Sequence, residues 1–161
     1  MLDQRFYHEV LSPYFRLLIR SAENICVQQN NSDIIALAQE AATSAYHFPE
    51  TIRGTGAWAD PAVETLRQML GDVVDTKKHG DKLRNADRVV KLSSFLEFEF
   101  NDTNKIRYLG TGVSAKNTRF GEFSLISTIR DFVRASITEL SIPLDATITL
   151  PRYPWECPEP C

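Results

Sequence analysis

The chain has 161 residues, 43% hydrophobic and 24% charged, with 7 glycines and 8 prolines, the balance of one globular domain; a disordered, collagen-like or low-complexity chain is excluded. The net charge is −3, no apolar run approaches the ~20 residues of a membrane-spanning helix, and the first residues lack the apolar segment of a signal peptide, so no membrane association is expected. Cys26, Cys157 and Cys161 are an odd number with two near the end, a poor disulfide framework, and the expected location is the reducing cytoplasm.

In chain order, Leu2, Phe6 and Val10 recur at four-residue intervals and predict a short first helix. Ser12-Pro13 reads as an N-cap followed by proline at the first helical position, with a helix over about 13–29 that buries Tyr14, Leu17, Leu18, Ser21 and Ile25. The polar run Gln28–Asn31 closes it, and Ser32 caps a helix containing Ile34, Ile35, Leu37, Ala38, Ala41, Ala42 and Ala45, expected to end before Pro49. After the Gly54-Thr55-Gly56 loop, Asp60-Pro61 repeats the cap-plus-proline start. This third long helix runs to about Lys78, with Leu66, Leu70, Val73 and Val74 on one side and Asp72, Asp75 and His79 on the other.

Beyond residue 86 the period shortens to two. Leu96, Phe98 and Phe100 alternate with Glu97 and Glu99, Asn101–Asn104 is turn chemistry, and Ile106 and Tyr108 resume the alternation, which together predict a β-hairpin. Glu97, Glu99, Lys105 and Arg107 form its outer, charged face. A polar loop around 112–121 precedes a regular helix over about 124–140, carrying Leu125, Ile126, Ile129, Phe132, Val133, Ile137 and Leu140, long enough to cover one face of the hairpin. Two strands alone are marginal, so further strands are expected from 112–121 or 142–150, where Ile148 and Leu150 are candidates.

The expected fold is therefore α+β: an N-terminal three-helix bundle, then a β-hairpin or small antiparallel sheet packed on a C-terminal helix. Residues 1–150 form the domain, and 151–161 a proline-rich, flexible tail whose Tyr153 and Trp155 are candidate anchors for a partner or a second copy. Trp58, beside Gly56, is a further candidate anchor.

The chemistry-bearing constellation is Asp72-x-x-Asp75-x-x-Lys78-His79. Asp75 and His79 are i, i+4 neighbours, suited to a carboxylate–imidazole bond at the helix end or to shared metal ligation. Asp72 stands about 10.5 Å along the axis from His79, so these three alone cannot hold one ion, and His8, Glu40, His47 and Glu50 show no metal-binding spacing. Metal-dependent hydrolysis by Asp72, Asp75 and His79 would need further ligands; no metal or cofactor is expected. Cys157 and Cys161 would likewise need two more ligands. No G-x-S-x-G, P-loop, G-x-G-x-x-G or H-E-x-x-H is present.

Asp72-x-x-Asp75-x-x-Lys78-His79 followed by Leu83, closing an amphipathic helix before a hairpin, resembles a pattern at helix ends in bacterial helical proteins of the HEPN type. HEPN ribonucleases carry an Arg and a His separated by four to six residues. Here Arg5 and His8 are closer, Arg67 and His79 are farther apart, and no Arg–His pair has that spacing. The resemblance thus implies a non-catalytic helical relative, a dimer or the partner of another protein.

Two functional expectations follow. The first is a non-enzymatic interaction or assembly module with a protein partner or a second copy. The alternative is an RNA-directed protein or nuclease-like enzyme acting through the basic segment 77–91, with Lys78, Lys82, Arg84 and Arg88 on phosphates and His79 as general base.

Overall fold

The computed structural model describes residues 1–23, 31–83, 85–103 and 105–143. The expected end of the first long helix near residue 29, Cys26, Arg84, the strand at 148–150, and the tail with Tyr153, Trp155, Cys157 and Cys161 lie outside the described residues.

The α+β architecture is as the sequence predicts, with differences at the two prolines and in the sheet. Helix α1 (Leu2–Phe6) passes through a π-turn (Tyr7–Leu11) directly into α2 (Ser12–Glu23). Ser12 is not an N-cap: its φ of −60° and ψ of −47° are helical. Pro13 lacks an N–H and its ring would clash with the carbonyl four residues back; the wider π-turn just before it leaves room for the ring. The apolar stripe therefore continues unbroken through Phe6, Val10, Leu11, Tyr14, Leu17 and Leu18, all buried.

Helix α3 (Asn31–Arg53) likewise runs through Pro49 instead of ending before it. Burial of Ala45 and Phe48, with Ile52 packed against the core, holds the last turn in place although Pro49 donates no hydrogen bond. Gly54, at φ +73°, then turns the chain and returns its N–H to the Glu50 carbonyl. Helix α4 (Pro61–His79) begins as predicted, with the Asp60 carboxylate accepting from the Ala62 N–H at 2.9 Å. It ends at Gly80, followed by 3₁₀ turns at Gly80–Lys82 and Ala86–Arg88.

Strands β1 (Lys91–Phe100), β2 (Ile106–Asn117) and β3 (Gly121–Ser124) form an antiparallel sheet in the order β1-β2-β3. The expected polar loop at 112–121 is thus mostly strand: Val113 and Ala115 alternate inward and are fully buried, and apolar burial outweighs the glycines and polar residues between them. The third strand supplies the extra pairing that a lone hairpin needs. At Gly110, with φ +144°, a bulge shifts the register between Glu97 and Phe98. On the outward face the Phe95 ring lies directly over Gly112, a position where any Cβ would collide with it.

Helix α5 (Leu125–Glu139) starts at an N-cap, Ser124, which accepts from the Ser127 N–H. It buries Leu125, Ile126, Ile129, Phe132 and Val133 against α3, α4 and the sheet. Trp58 meets Phe132 edge-on at 5.4 Å and takes the Arg53 guanidinium on its face at 4.5 Å, so it anchors the chain's own core. Among the described residues no helix is long and apolar enough to cross a membrane.

Candidate functional site

The structure divides the Asp72–His79 constellation. Asp72 is fully buried, not on an exposed face, because the β2–β3 turn and the segment leading into β1 close over that side of α4. Its Oδ1 accepts from Arg88 Nε at 2.7 Å with Arg119 Nη1 at 3.5 Å, and its Oδ2 accepts from Asn117 Nδ2 at 3.0 Å. Asp75, one turn along, takes the other side of the same guanidinium, Arg88 Nη2, at 2.5 Å. The two carboxylates hold Arg88 above its ordinary pKa, chiefly through the Asp72 hydrogen bond.

Arg119 also donates to Gln68 and returns its backbone N–H to the Asp87 carbonyl at 3.2 Å, while Asn117 Oδ1 receives the Phe120 N–H at 2.8 Å. The cluster thereby fastens α4, the 3₁₀ turn at Ala86–Arg88 and the β2–β3 turn to one another. It resembles a buried ionic tie more than a reaction centre, since the carboxylate atoms are turned toward protein donors.

His79 is exposed at the end of α4 and is not brought to Asp75, which is engaged by Arg88. Lys78 and Lys82 are exposed, whereas Arg88 from the same basic segment is held by Asp72 and Asp75. Among the described residues no three His, Cys, Asp or Glu side chains converge as metal ligands would.

Lys91 and Lys116, both exposed, stand directly opposite each other on β1 and β2. They border an open groove of about 510 Å³ lined also by Leu83, Ala86, Val89, Asn117 and Thr118. Like charges directly opposite on a sheet destabilise it, and Glu122 on β3, facing Lys116 in register, partly offsets this.

The feature that sequence reasoning missed is the far half of the hairpin. In an antiparallel pair, directly opposite residues share a face, so Leu92, Ser94, Leu96, Phe98 and Phe100 on β1 lie on the same side as Ala115, Val113, Thr111 and Ile106 on β2. Near the helices this face is core: Val113 and Ala115 are fully buried and Leu92 packs against them. Toward the turn the helices no longer cover it. Leu96 is 40% exposed, Phe98 46%, Ile106 63% and Phe100 72%.

The expectation that the last helix would cover one face of the hairpin therefore holds only for its near half. The sequence signal was the length of the alternation: a ten-residue strand spans about 33 Å, longer than the roughly 22 Å of the fifteen-residue α5. Comparison with protein-family models, curated proteins and solved structures gives no match to this chain.

Proposed function

We propose that this chain is a non-enzymatic interaction or assembly module that docks through the far half of its hairpin. The observation that carries the reading is the row Leu96, Phe98, Phe100 and Ile106, solvent-exposed on a face whose other half is the domain core. Scattered exposed apolar residues are ordinary, but a contiguous apolar patch of a few hundred Å² on a folded domain marks an interaction surface. The engagement of Asp72 and Asp75 by arginines supports the same reading, because it assigns the most reactive-looking cluster to holding the fold together. It also agrees with the non-catalytic relative that the HEPN-type resemblance implies.

The test is quantitative affinity capture with the wild-type chain and with Phe100→Lys and Ile106→Lys as baits, each first shown to keep the wild-type circular dichroism spectrum. Partners, including further copies of the bait, should be lost together in both variants. An unchanged set of partners would reject this surface.

A second reading, nucleic-acid binding, is favoured by one observation. With Asp72 and Asp75 taken up internally, Lys77, Lys78 and Lys82 are left exposed, and Lys91 and Lys116, also exposed, line the open groove. It ranks second because Glu122 and the exposed Asp87 lie among these lysines. Fluorescence anisotropy with a labelled single-stranded RNA should then show binding that weakens steeply from 50 to 300 mM salt and is lost in Lys91→Glu/Lys116→Glu. No binding at the lower salt would remove this reading.

A further inference from the structure

The groove at the open end of the β1–β2 ladder carries two cations that the fold does not use. Lys91 and Lys116 stand directly opposite each other, both exposed, and neither has an ion-pair partner among the described residues. The arginines of this corner are taken: Arg88 by Asp72 and Asp75, Arg119 by Asp72 and Gln68. Glu122, in register with Lys116, accepts from the Ser114 hydroxyl at 2.7 Å and does not line the groove.

Directly opposite side chains on an antiparallel pair start about 5 Å apart at Cβ, and each lysine ammonium rides on a flexible four-carbon stem, so both ammonium groups can close on one anion. Like charges at that spacing weaken the sheet by themselves, and the arrangement becomes favourable once an anion lies between them.

The rest of the groove is largely aliphatic. Leu83 and Val89, half-buried, and the exposed Ala86 supply its apolar side, and Thr118 adds an exposed hydroxyl. Among the described residues that line it there is no carboxylate to repel an anion and no aromatic ring on which a base could stack.

The walls are fixed by the fold itself. The Val90 N–H donates to the Thr76 hydroxyl at 3.0 Å, and Arg88 is clamped by two carboxylates. The Arg119 N–H donates to the Asp87 carbonyl at 3.2 Å, holding the β2–β3 turn to the segment before β1. At about 510 Å³ the space has the size of a small-molecule site.

We infer that this groove binds a small aliphatic phosphate monoester, its phosphate between the Lys91 and Lys116 ammonium groups and its chain along Leu83, Ala86 and Val89. A monoester carries about −1.5 to −2 charges at neutral pH and so matches two ammonium groups, whereas a carboxylate or a nucleic-acid phosphodiester brings one charge per group. The inference is independent of the hairpin as a docking surface, and it gives Lys91 and Lys116 a different ligand from the RNA of the second reading.

The experiment is isothermal titration calorimetry on the full chain at pH 7.5 and 50 mM salt, with n-hexyl phosphate, inorganic phosphate and hexanoate. Hexyl phosphate should bind one-to-one with a Kd below about 1 mM. Inorganic phosphate, which lacks the chain, and hexanoate, which carries one charge, should each bind at least about 10-fold more weakly. Lys91→Gln and Lys116→Gln should each weaken hexyl phosphate at least about 10-fold while keeping the wild-type circular dichroism spectrum, and Lys91→Arg should stay close to wild type. Amide NMR shifts of the unaltered chain should move at 89–91 and 116–118 during the titration, which needs no variant.

No binding of hexyl phosphate up to 10 mM overturns the inference, as does binding indifferent to both glutamine variants. Inorganic phosphate binding as tightly as hexyl phosphate also overturns it, because the aliphatic side of the groove would then play no part. RNA bound through Lys91 and Lys116 by a chain that ignores hexyl phosphate would overturn it in favour of the second reading. The hairpin reading stands or falls separately, by affinity capture.

Discussion

Replacing Asp72 by asparagine tests whether the buried cluster at the end of α4 ties the fold together. The change is nearly isosteric, so packing is preserved and the effect is electrostatic. In the wild type, one carboxylate oxygen takes Arg88 Nε and the other takes Asn117 Nδ2, at 2.7 and 3.0 Å, in a fully buried position. An asparagine keeps one acceptor. If its oxygen serves Arg88, its amide nitrogen confronts the Asn117 amide nitrogen, and Asn117 cannot flip without giving up the bond from Phe120 N–H at 2.8 Å.

Leaving a buried donor unsatisfied costs about 1–3 kcal/mol, and converting a charge-assisted bond to a neutral one costs about 1 kcal/mol more. Asp75 remains on Arg88 and limits the loss. The expected destabilisation is about 2–4 kcal/mol, a fall in Tm of roughly 5–15 °C for a chain of this size. Asp75→Asn is the control: its carboxylate is 34% exposed and it bonds the same arginine, yet its loss should cost at most about 1 kcal/mol. Urea and thermal unfolding of the three proteins at pH 7 measure the difference. Equal stabilities for Asp72→Asn and Asp75→Asn, or an Asp72→Asn variant within 0.5 kcal/mol of wild type by the usual reach of surface changes, would refute the reasoning.

Two further outcomes are expected. The Arg67 guanidinium, donating to Glu64 at 2.6 and 2.9 Å, holds the Glu64 carboxyl at about 2, against an ordinary value of 4.5. A lowered carboxyl pKa stabilises the fold above about pH 4.5, and the contribution is lost as the pH falls toward 2; with the side chain 22% exposed, about 1–2 kcal/mol survives solvent screening. Urea midpoints of wild type and Glu64→Gln should therefore differ at pH 7 and 5, differ less at pH 3, and converge only at about pH 2 and below; a gap that does not vary with pH would mean that Glu64 acts through packing. Gly110→Ala should destabilise by about 1–3 kcal/mol in denaturant titrations, since φ +144° is strained for any side chain and its Cβ would stand 2.7 Å from Ser21 Oγ, itself bonded to the Thr111 carbonyl. A neutral result would show that the bulge relaxes freely.

What the sequence determined on its own were the features whose causes lie within a few residues. Asp60-Pro61 starts α4 because the carboxylate reaches an N–H two residues on, and the proline needs no partner for its nitrogen. The alternation from Leu96 to Phe100 and the turn chemistry after it make a hairpin, and the spacing of Leu125 to Val133 makes α5, for the same local reason.

Only the tertiary structure decided the rest. Ser12-Pro13 carries a start signal, yet the helix runs through it because Val10, Leu11, Tyr14 and Leu17 bury one continuous stripe. Asp72 sits on the polar side of its helix by periodicity and is buried nonetheless, because Arg88, 16 residues away, neutralises it there and Asn117, 45 residues away, hydrogen-bonds its other oxygen. The apolar residues of the hairpin look like core in any window of sequence. Leu92 and Val113 are packed while Phe100 and Ile106 meet solvent, and which part of a strand an element distant in sequence covers is set only when the two pack.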